Sequence, residues 1–473
     1  MSWTVEGYAR IYVRIELPKG SEISTWSMSI ENRGEAAIWS VEFPYIRMEP
    51  IRGDKEGTIL AIPLHSGVLV RDPMDNIHWE VQPWEEIQHD QDKGDVDRKG
   101  AYPGGYNAQF AAVYSSEGDG IYIASYDGEM YSKRFLFCGN GETLLITIRN
   151  YPDRMLTPGI DYTIPYPLVV GVFHGDWMNA ADIYREWAVQ QEWCKKGPMY
   201  KRDDLSRAMY NTDVTTIAAY RLTLDSPNHY EEIKEDLLNM KAFFDTYSSV
   251  NGSSPSIGVH WIGWSKHLDV IEEQGTPNYF PAQENFSRLI DELHSVGGFY
   301  CDVYLGTGAF DSANPVWQDD EYTWEEARPY ACYNPLNQTY KKFKPTYAWM
   351  DPSQEWWQDV LRSLAIRAQR EVHIDGTYWD HYPKFRLEFR HHEGGGNFYA
   401  LGYREMMMKI KEATRASDPN HYICPEGKSE IEVGIFDAML SDSSIAMWMA
   451  GSQTPTSSLC GRRRSSIHCG RRT

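Results

Sequence analysis

The sequence has little cysteine, and none of it forms a paired motif. Seven cysteines are scattered over 473 residues, and no CxxC pair occurs. This spacing is typical neither of a disulfide-rich scaffold nor of a zinc site. The sequence also lacks a GxSxG nucleophile elbow, a Walker loop, an HExxH motif and a deaminase signature. We therefore predict no cofactor and no metal, and the enzyme classes that carry these motifs are excluded.

The sequence has few basic residues relative to acidic ones. It contains 46 Lys and Arg against 67 Asp and Glu, which gives a net charge of −21. Such an acidic surface repels nucleic-acid phosphates and anionic lipid headgroups. No apolar run reaches transmembrane length, and the first twenty residues lack a signal-peptide pattern. We expect neither nucleic acid nor a membrane as partner. The chain as written is expected to be cytoplasmic, or secreted if its natural N-terminus lies upstream. The oligomeric state stays open.

Aromatic residues are abundant, with 17 Trp and 31 Tyr in a chain that is 14% aromatic. Tyr and Trp combine an apolar ring face with a polar tip, and this suits flat amphipathic ligands such as sugars. The same excess also occurs in β-rich folds, where aromatic residues favour strands. Composition alone leaves both interpretations open.

The first 172 residues alternate apolar and polar side chains in short segments separated by Gly, Asp, Asn and Pro clusters. Examples are YARIYVRIEL, AAIWSVEFPYIRM, GTILAIPL, AQFAAVYS, GIYIASYDG and TLLITIRNY. This pattern predicts an antiparallel β-sandwich over 1–172. Helical spacing then begins, with Trp177, Ala181, Tyr184 and Trp187 on one face. We predict a linker helix within 173–204.

Strand-like and helix-like segments alternate from about residue 205, which predicts βα units and a parallel sheet. Six strands can be counted, ending with IFDAML. A (β/α)8-type barrel over 205–451, truncated after about six strands, is the favoured fold class. A doubly wound sheet is the competitor, but no Gly-rich phosphate loop follows the first strand.

The last segment, 452–473, is basic and contains CGRR twice. A basic nucleic-acid arm is one interpretation. We favour a frameshifted or foreign end that replaces the last barrel strands, and this hypothesis raises the alternative of an inactive truncated enzyme.

Two acidic residues follow apolar strand cores, where a parallel barrel places its catalytic groups. Asp380 closes the strand in VHIDGTYWDHYP, and Glu426 ends the next one in HYICPEGKSE. Glycoside hydrolysis needs two carboxyl groups of this kind, one as acid and one as nucleophile or base. Glu430 is the alternative acid and is also a candidate for substrate binding, whereas Asp375 at the other end of its strand is interpreted as structural.

Further residues are candidates for substrate binding. His260, Trp261 and Trp264 form a predicted sugar platform, with a core role as the alternative. Asp351 is a candidate either for substrate contact or for helix capping. The remaining candidates flank Asp380 or lie in the FRHHEGGG loop: Trp379, His381, Tyr382, His391 and His392. Two adjacent His residues cannot easily face one metal, so the loop is expected to hydrogen-bond sugar hydroxyls.

The order of several motifs resembles a bacterial glycoside-hydrolase-like family of poorly defined function. The motifs are YPGGYNAQFAAVY, GDWMNAADIYREWA, HWIGW, WMDPSQEWWQDV, DGTYWD, HHEGGG and PEGKSE, over about residues 100 to 445. The family is distantly similar to endo-α-N-acetylgalactosaminidases. The resemblance implies a β-sandwich followed by a TIM barrel, with the fourth-strand nucleophile at Asp380 and the fifth-strand acid/base at Glu426.

The sequence therefore predicts a glycosidase that cleaves O-glycosidic bonds in oligo- or polysaccharides, with retention of configuration. A protein that binds carbohydrate through aromatic faces without catalysis is the alternative from a different class.

Overall fold

The computed structural model describes most of the chain, and all structural statements refer to that part. The described residues are 1–64, 67–82, 99–152, 154–210, 212–218, 228–251, 254–266, 277–306, 308–312, 322–334, 338–339, 346–380, 387, 397–426 and 429–438. The basic segment 452–473 lies outside this set.

Fourteen described strands precede the first parallel strand, and each of the six predicted segments overlaps one of them. The strands are β1 Ser2–Val5, β2 Ala9–Glu16, β3 Ile23–Asn32, β4 Val41–Met48, β5 Thr58–Ile62, β6 Val68–Arg71, β7 His78–Trp79, β8 Ala101–Tyr102, β9 Phe110–Ser115, β10 Asp119–Ser125, β11 Lys133–Gly139, β12 Leu144–Asn150, β13 Tyr162–Thr163 and β14 Leu168–His174. The segments that were predicted to be strands from their alternating apolar residues are therefore strands in the structure.

These strands form two antiparallel sheets. The nine-stranded sheet has the order β1-β2-β3-β14-β10-β9-β5-β6, with β13 beside β3. The five-stranded sheet has the order β4-β12-β11-β7, with β8 beside β11. Side chains from both sheets share one hydrophobic cluster, in which Trp26 of β3 contacts Phe43 of β4 at 6.0 Å between ring centroids.

The described helices are α1 Pro73–Asn76, α2 Trp177–Ala188, α3 Arg207–Tyr210, α4 Asn228–Asn251, α5 Phe286–Val296, α6 Trp324–Ala327, α7 Glu355–Val372 and α8 Asn397–Ser417. Short 3₁₀ turns occur at Ile51–Gly53, Glu192–Cys194, Met199–Lys201, Arg328–Tyr330 and Glu430–Glu432. None of the helices described is long and apolar enough to cross a membrane.

Helix α5 shows why these segments are helical. Its buried residues are Phe286, Leu289, Ile290 and Leu293, which is the i, i+3, i+4, i+7 spacing of one helical face. The helix ends at two glycines, because Gly297 and Gly298 have φ values of 83° and 73° that other residues rarely adopt.

The second part of the chain contains a five-stranded parallel sheet. Its strands are β15 Val214–Ala218, β16 Ile257–Trp261, β17 Phe299–Gly306, β20 Gly376–Asp380 and β21 Tyr422–Pro425. They are neighbours in chain order, β15-β16-β17-β20-β21, whereas a doubly wound sheet reverses its order at a switch point. Strands β16, β20 and β21 are buried along their whole length, as expected when both faces of a sheet are covered.

An additional pair of strands lies between the parallel strands in sequence, and the predicted sixth strand differs from expectation. The segment YAWMDP contains β19 Tyr347–Trp349, which pairs antiparallel with β18 Ala309–Asp311 outside the parallel sheet. The predicted sixth strand, IFDAML, is not a strand over its described residues 435–438. The side chain of Asp437 explains this, since Oδ2 accepts from the backbone N–H of Ile423 at 3.0 Å and Oδ1 from that of Ser206 at 2.9 Å.

Candidate functional site

The candidate site lies on one face of the parallel sheet, at the carboxyl ends of its strands. In the register of β16 and β17, His260 pairs with Asp302. In the register of β17 and β20, Tyr304 pairs with Tyr378 and Gly306 pairs with Asp380. Because side chains alternate between the two faces of a sheet, His260, Asp302, Tyr304, Tyr378 and Asp380 project from the same face.

Asp380 is the last residue of β20 and is only 5% exposed. The phenol of Tyr304, on the neighbouring strand, donates a hydrogen bond to Oδ2 of Asp380. A hydrogen bond from a neutral donor stabilises a carboxylate without neutralising its charge. The carboxyl group of Asp380 is thereby oriented at the carboxyl edge of the sheet.

Glu426 follows β21 immediately, and its backbone N–H donates to the carbonyl of Trp379 at 2.9 Å. This bond extends the pairing of β20 and β21 by one residue and brings Glu426 level with Asp380. The side chain of Glu426 is half-buried. Burial raises the pKa of Tyr304 and of Tyr378, and the charges of both Asp380 and Glu426 raise them further. The charges of the two carboxylates therefore raise the pKa of the same two tyrosines.

A second hydrogen-bonded group lies deeper on the same face. Nδ1 of His260 lies 2.5 Å from Oδ1 of Asp302, and the phenol of Tyr422 donates to Oδ2 at 2.9 Å. The ring of His260 also contacts that of Tyr378, with 4.2 Å between centroids. His260 stays a prediction as a substrate-binding residue, and its orientation is fixed by these contacts.

Gly376 makes the contact between Tyr422 and Asp302 geometrically feasible. It lies between them in the sheet, paired with Asp302 on one side and with Tyr422 on the other. A Cβ atom at Gly376 would lie 2.5 Å from two ring carbons of Tyr422. The ring thus crosses the position that a side chain would occupy, and this explains glycine at the first residue of β20.

The structure corrects the prediction that Trp261, Trp264 and Trp379 bind sugar. Trp261 and Trp379 are fully buried and belong to the opposite face of the sheet, since each is offset by one residue from His260 or Asp380. Trp261 packs edge-on against Phe286 of α5 at 5.3 Å. The indole N–H of Trp379 donates to the hydroxyl of Thr377 at 2.9 Å.

Trp264 is fully buried as well. Its ring stacks on Tyr279 at 6.0 Å and meets Phe280 at 5.2 Å, and its indole N–H donates to the carbonyl of Tyr304 at 2.8 Å. A ring that is covered in this way has no face for a sugar. The core role, which was the alternative for Trp261 and Trp264, is the one observed.

Asp351 and Glu430 also require correction as substrate-binding residues. Asp351 is fully buried, and its carboxylate accepts from the backbone N–H and the hydroxyl of Ser353 and from the amide of Gln354. It organises the turn before α7, close to the capping role considered for it. Glu430 is 9% exposed and faces the antiparallel sheets, where Tyr102 and Tyr184 donate to its two oxygens.

Four predicted residues lie outside the described part of the chain. They are His381, Tyr382, His391 and His392. Their role in substrate binding stays a prediction.

The sequence interpretation missed the tyrosines of the site. Tyr304, Tyr378 and Tyr422 lie on the same face as the two carboxylates, and the phenolic oxygen of Tyr279 accepts from the backbone N–H of Gly306 at 2.7 Å. Counting by twos from Asp380 along β20 identifies Tyr378, and the same period in FYCDVYLG separates Asp302 and Tyr304 from the apolar Cys301, Val303 and Leu305. Only Tyr279, which lies in a loop, leaves no such signal.

One group of potential metal ligands occurs among the described residues, at the opposite end of the sheet. His294, Cys301 and Asp375 each place a ligand atom within 4.8 Å of the others. Oδ2 of Asp375 already accepts from the backbone N–H of Cys301 at 2.7 Å and lies 2.8 Å from Nε2 of His294. Burial raises the pKa of the Cys301 thiol, which opposes the thiolate that a metal needs. Hydrogen bonding accounts for this group, and the structural role predicted for Asp375 fits its position.

The fold is similar to that of a solved glycosidase. The ligand-free α-N-acetylgalactosaminidase NagBb from Bifidobacterium bifidum superposes with a TM-score of 0.62 at 10% identity, covering 96% of this chain and 73% of that one. The complex of the same protein with GalNAc gives a TM-score of 0.60 at 10% identity, with 92% and 69% covered. At this identity the likeness concerns the fold.

Sequence comparison finds a relative whose name also refers to a glycoside hydrolase. A Monosiga brevicollis protein named "Putative glycoside hydrolase 22789" is 21% identical over 349 residues, or 68% of this chain. The chain spans only 28% of the length of that relative. The chain belongs to the family described as a domain of unknown function (DUF6259), whose model matches residues 162–455, more than half of the sequence. The resemblance to a glycoside-hydrolase-like family of undefined function is confirmed.

Proposed function

We propose that this protein is a glycoside hydrolase in which Asp380 and Glu426 are the two catalytic carboxyl groups. The observation that carries the proposal is their placement at the ends of neighbouring parallel strands, with Glu426 hydrogen-bonded through its backbone to Trp379, the residue before Asp380. The negative charges of Asp380 and Glu426 both raise the pKa of Tyr304 and of Tyr378. Paired carboxyl groups on one face are what hydrolysis of a glycosidic bond requires.

The five parallel strands are proposed to be part of a (β/α)8-type barrel. Their order follows the chain, and helices α4, α5, α7 and α8 lie between them in sequence. In such barrels the catalytic groups lie at the carboxyl ends of the strands, where Asp380 and Glu426 lie here. We keep 205–451 as the proposed catalytic domain, 173–204 as the linker and 1–172 as a β-sandwich domain.

In the proposed mechanism, Asp380 attacks the anomeric carbon and Glu426 protonates the departing glycosidic oxygen. A glycosyl ester then forms on Asp380, and Glu426 removes a proton from the water that hydrolyses it, so that configuration is retained. Tyr304 orients the carboxylate of Asp380 for attack through its hydrogen bond. His260, held by Asp302, is proposed to contact the sugar.

The substrate is proposed to be a glycoside with a terminal amino sugar or hexose. An α-linked N-acetylgalactosamine is the first candidate, because the structurally similar NagBb is an α-N-acetylgalactosaminidase that binds GalNAc. A panel of aryl α- and β-glycosides of N-acetylgalactosamine, galactose, glucose and N-acetylglucosamine tests this directly. Proton NMR of the first product formed would distinguish retention from inversion.

Two variants and a control complete the test. Asp380→Asn and Glu426→Gln each keep the side-chain shape and are expected to lower kcat at least about a thousandfold. Asp359→Asn changes a half-exposed carboxylate on α7 that pairs with Arg362, and full activity is expected. No turnover by the unmodified protein on the whole panel, with sugar binding retained in Asp380→Asn, would instead favour the non-catalytic carbohydrate-binding alternative.

A further inference from the structure

Glu430 connects the proposed acid/base segment to the antiparallel sheets. It follows Glu426 by four residues and is buried. Its Oε1 accepts from the phenol of Tyr102 at 2.7 Å and from the amide of Gln109 at 2.8 Å. Its Oε2 accepts from the phenol of Tyr184 at 2.7 Å. All three donors come from the first part of the chain, on β8, before β9 and on α2.

The donors are themselves fixed in place. Oε1 of Gln109 accepts from the ammonium of Lys133 at 2.7 Å, and its amide also donates to the carbonyl of Asp127 at 3.0 Å. The phenolic oxygen of Tyr184 accepts from the backbone N–H of Gln109 at 3.1 Å, and its ring stacks on Phe110 at 5.0 Å. Glu430 is therefore bound to a rigid, buried set of groups whose hydrogen bonds define its position.

The backbone around Glu430 is held at several points. The N–H of Glu430 donates to the carbonyl of Asn107 at 3.0 Å. The N–H of Ser429 donates to the carboxylate of Glu432 at 2.8 Å, which closes the 3₁₀ turn, and the guanidinium of Arg404 donates to the carbonyl of Ile431. At the other end, Glu426 is bound to β20. Glu426 is thus bound to the parallel sheet, and residues 429–432 are held by groups from the first part of the chain and by α8.

The charge of Glu426 affects the pKa of a carboxyl group in the 3₁₀ turn. Burial raises the pKa of Glu432, and the charge of Glu426 raises it further. Glu426 precedes Ser429, at the start of the turn that Glu430 anchors, by three residues, so a displacement of the turn is expected to reach Glu426.

We propose that Tyr102, Gln109 and Tyr184 position Glu426 for proton donation, acting through Glu430. The first part of the chain then contributes to catalysis without touching the substrate. This inference rests on the proposed function, because it presupposes that Glu426 is the acid/base. Tyr102, Gln109 and Tyr184 are positioning residues on this view.

The test compares leaving groups. An acid catalyst matters most for a leaving group of high pKa, so its misplacement slows a 4-methoxyphenyl glycoside far more than a 2,4-dinitrophenyl glycoside of the same hydrolysed sugar. Tyr184→Phe removes one hydroxyl and keeps the stacked ring. We expect kcat/KM to fall about tenfold or more for the 4-methoxyphenyl substrate and less than about threefold for the dinitrophenyl one, a difference in the barrier of at least about 0.7 kcal/mol. Tyr102→Phe should act in the same direction.

Two comparisons make the outcome decisive. Tyr126→Phe is the matched control, because Tyr126 stacks on Trp187 in the same aromatic cluster, and the hydroxyl contact described for it is with Tyr122. The ratio of its kcat/KM values for the two substrates should equal the ratio measured for the unmodified protein. Glu426→Ala is the reference variant, and its loss of kcat/KM should differ most between the two substrates. Sodium azide should restore its turnover of the dinitrophenyl glycoside.

Failure of the inference and failure of the proposed function give different patterns. If Glu426→Ala shows the leaving-group effect while both tyrosine variants lose activity equally on the two substrates, the contacts of Glu430 are merely structural and the inference is overturned. If Glu426→Ala itself shows no leaving-group effect, Glu426 is not the acid, and both proposals fall together. Should Tyr184→Phe fold poorly, as a lowered Tm would reveal, Tyr102→Phe alone decides between these outcomes.

Discussion

The phenol of Tyr304 on β17 donates a hydrogen bond across the sheet to the carboxylate of Asp380 at the end of β20. The two residues are offset by two positions in the register, since Tyr304 pairs with Tyr378 and Gly306 pairs with Asp380. Because residue 306 is a glycine, β17 presents no side chain at the position paired with Asp380. The orientation of the proposed nucleophile is thus determined by its neighbouring strand.

Tyr304→Phe should therefore reduce catalysis without unfolding the protein. Removing one hydrogen bond to a charged group costs about 1.5–3 kcal/mol, so kcat/KM should fall by about 10- to 100-fold on the best substrate of the panel. Tyr12→Phe is the control, because Tyr12 also donates to a carboxylate, that of Glu31 at 3.0 Å, but on the exposed surface of β2. Equal activity of Tyr304→Phe and the unmodified protein would contradict the role given to this contact.

Gly376→Ala tests the packing of Tyr422 across β20. The added methyl group would lie 2.5 Å from the Tyr422 ring, so the ring must move and its hydrogen bond to Asp302 is strained. Overpacking of this kind costs about 1–3 kcal/mol of unfolding free energy, measured by urea denaturation. Gly128→Ala is matched to it, since a methyl group there meets only the flexible end of Gln191 at 3.1 Å. Equal stability of the two variants would show that the contact is not tight.

Much of the fold follows from local patterns in the sequence. The short apolar segment AQFAAVYS and the helical spacing in FSRLIDELHSV predicted β9 and α5 correctly. Strand β9 is buried at every position, whereas α5 buries one face. Carboxylates at strand ends were likewise visible, so Asp380 and Glu426 could be singled out. Their positions in the structure agree with the prediction, and their catalytic role stays a proposal.

Other features had no local signal. The bonds of Tyr102, Gln109 and Tyr184 to Glu430 join residues more than 240 positions apart, and nothing in the surrounding sequence indicates such partners. The assignment of Trp261 and Trp379 to sugar binding failed for a different reason. Proximity in sequence to His260 and Asp380 suggested a shared site, although adjacent residues of a strand point to opposite faces.

Trp261→Phe tests this correction. The indole packs on Phe286 of α5 and is fully buried, so a smaller ring leaves a cavity and should lower the unfolding free energy by about 1–3 kcal/mol. KM and kcat should stay within about twofold of the unmodified protein, because the ring is on the helix-covered face. A KM raised more than tenfold at unchanged stability would return Trp261 to the substrate site.

The stability of the protein should decrease as the pH rises through neutrality. Burial raises the pKa of Glu430 to about 7 and that of Glu432 to about 8, from an ordinary value of 4.5. Both groups hold protons in the folded state that the unfolded chain releases above its pKa. Their stabilising contribution is complete below about pH 4.5 and is lost as the pH passes 7 and 8. At low pH, protonation of other carboxylates also destabilises the protein and would obscure this effect. The decrease in stability should therefore be measured from pH 5.5 to 9.

Glu432→Gln separates this effect from other titrations. The amide resembles the protonated acid, so the variant should match the unmodified protein in Tm at pH 5.5 and exceed it at pH 9. Each proton released on unfolding contributes a slope of about 1.4 kcal/mol per pH unit, and removal of one such group should flatten the curve accordingly. Glu412→Gln, at an exposed position on α8, should leave the pH dependence unchanged. Parallel curves for Glu432→Gln and the unmodified protein would mean that the carboxyl of Glu432 is already ionised in the folded state at pH 5.5.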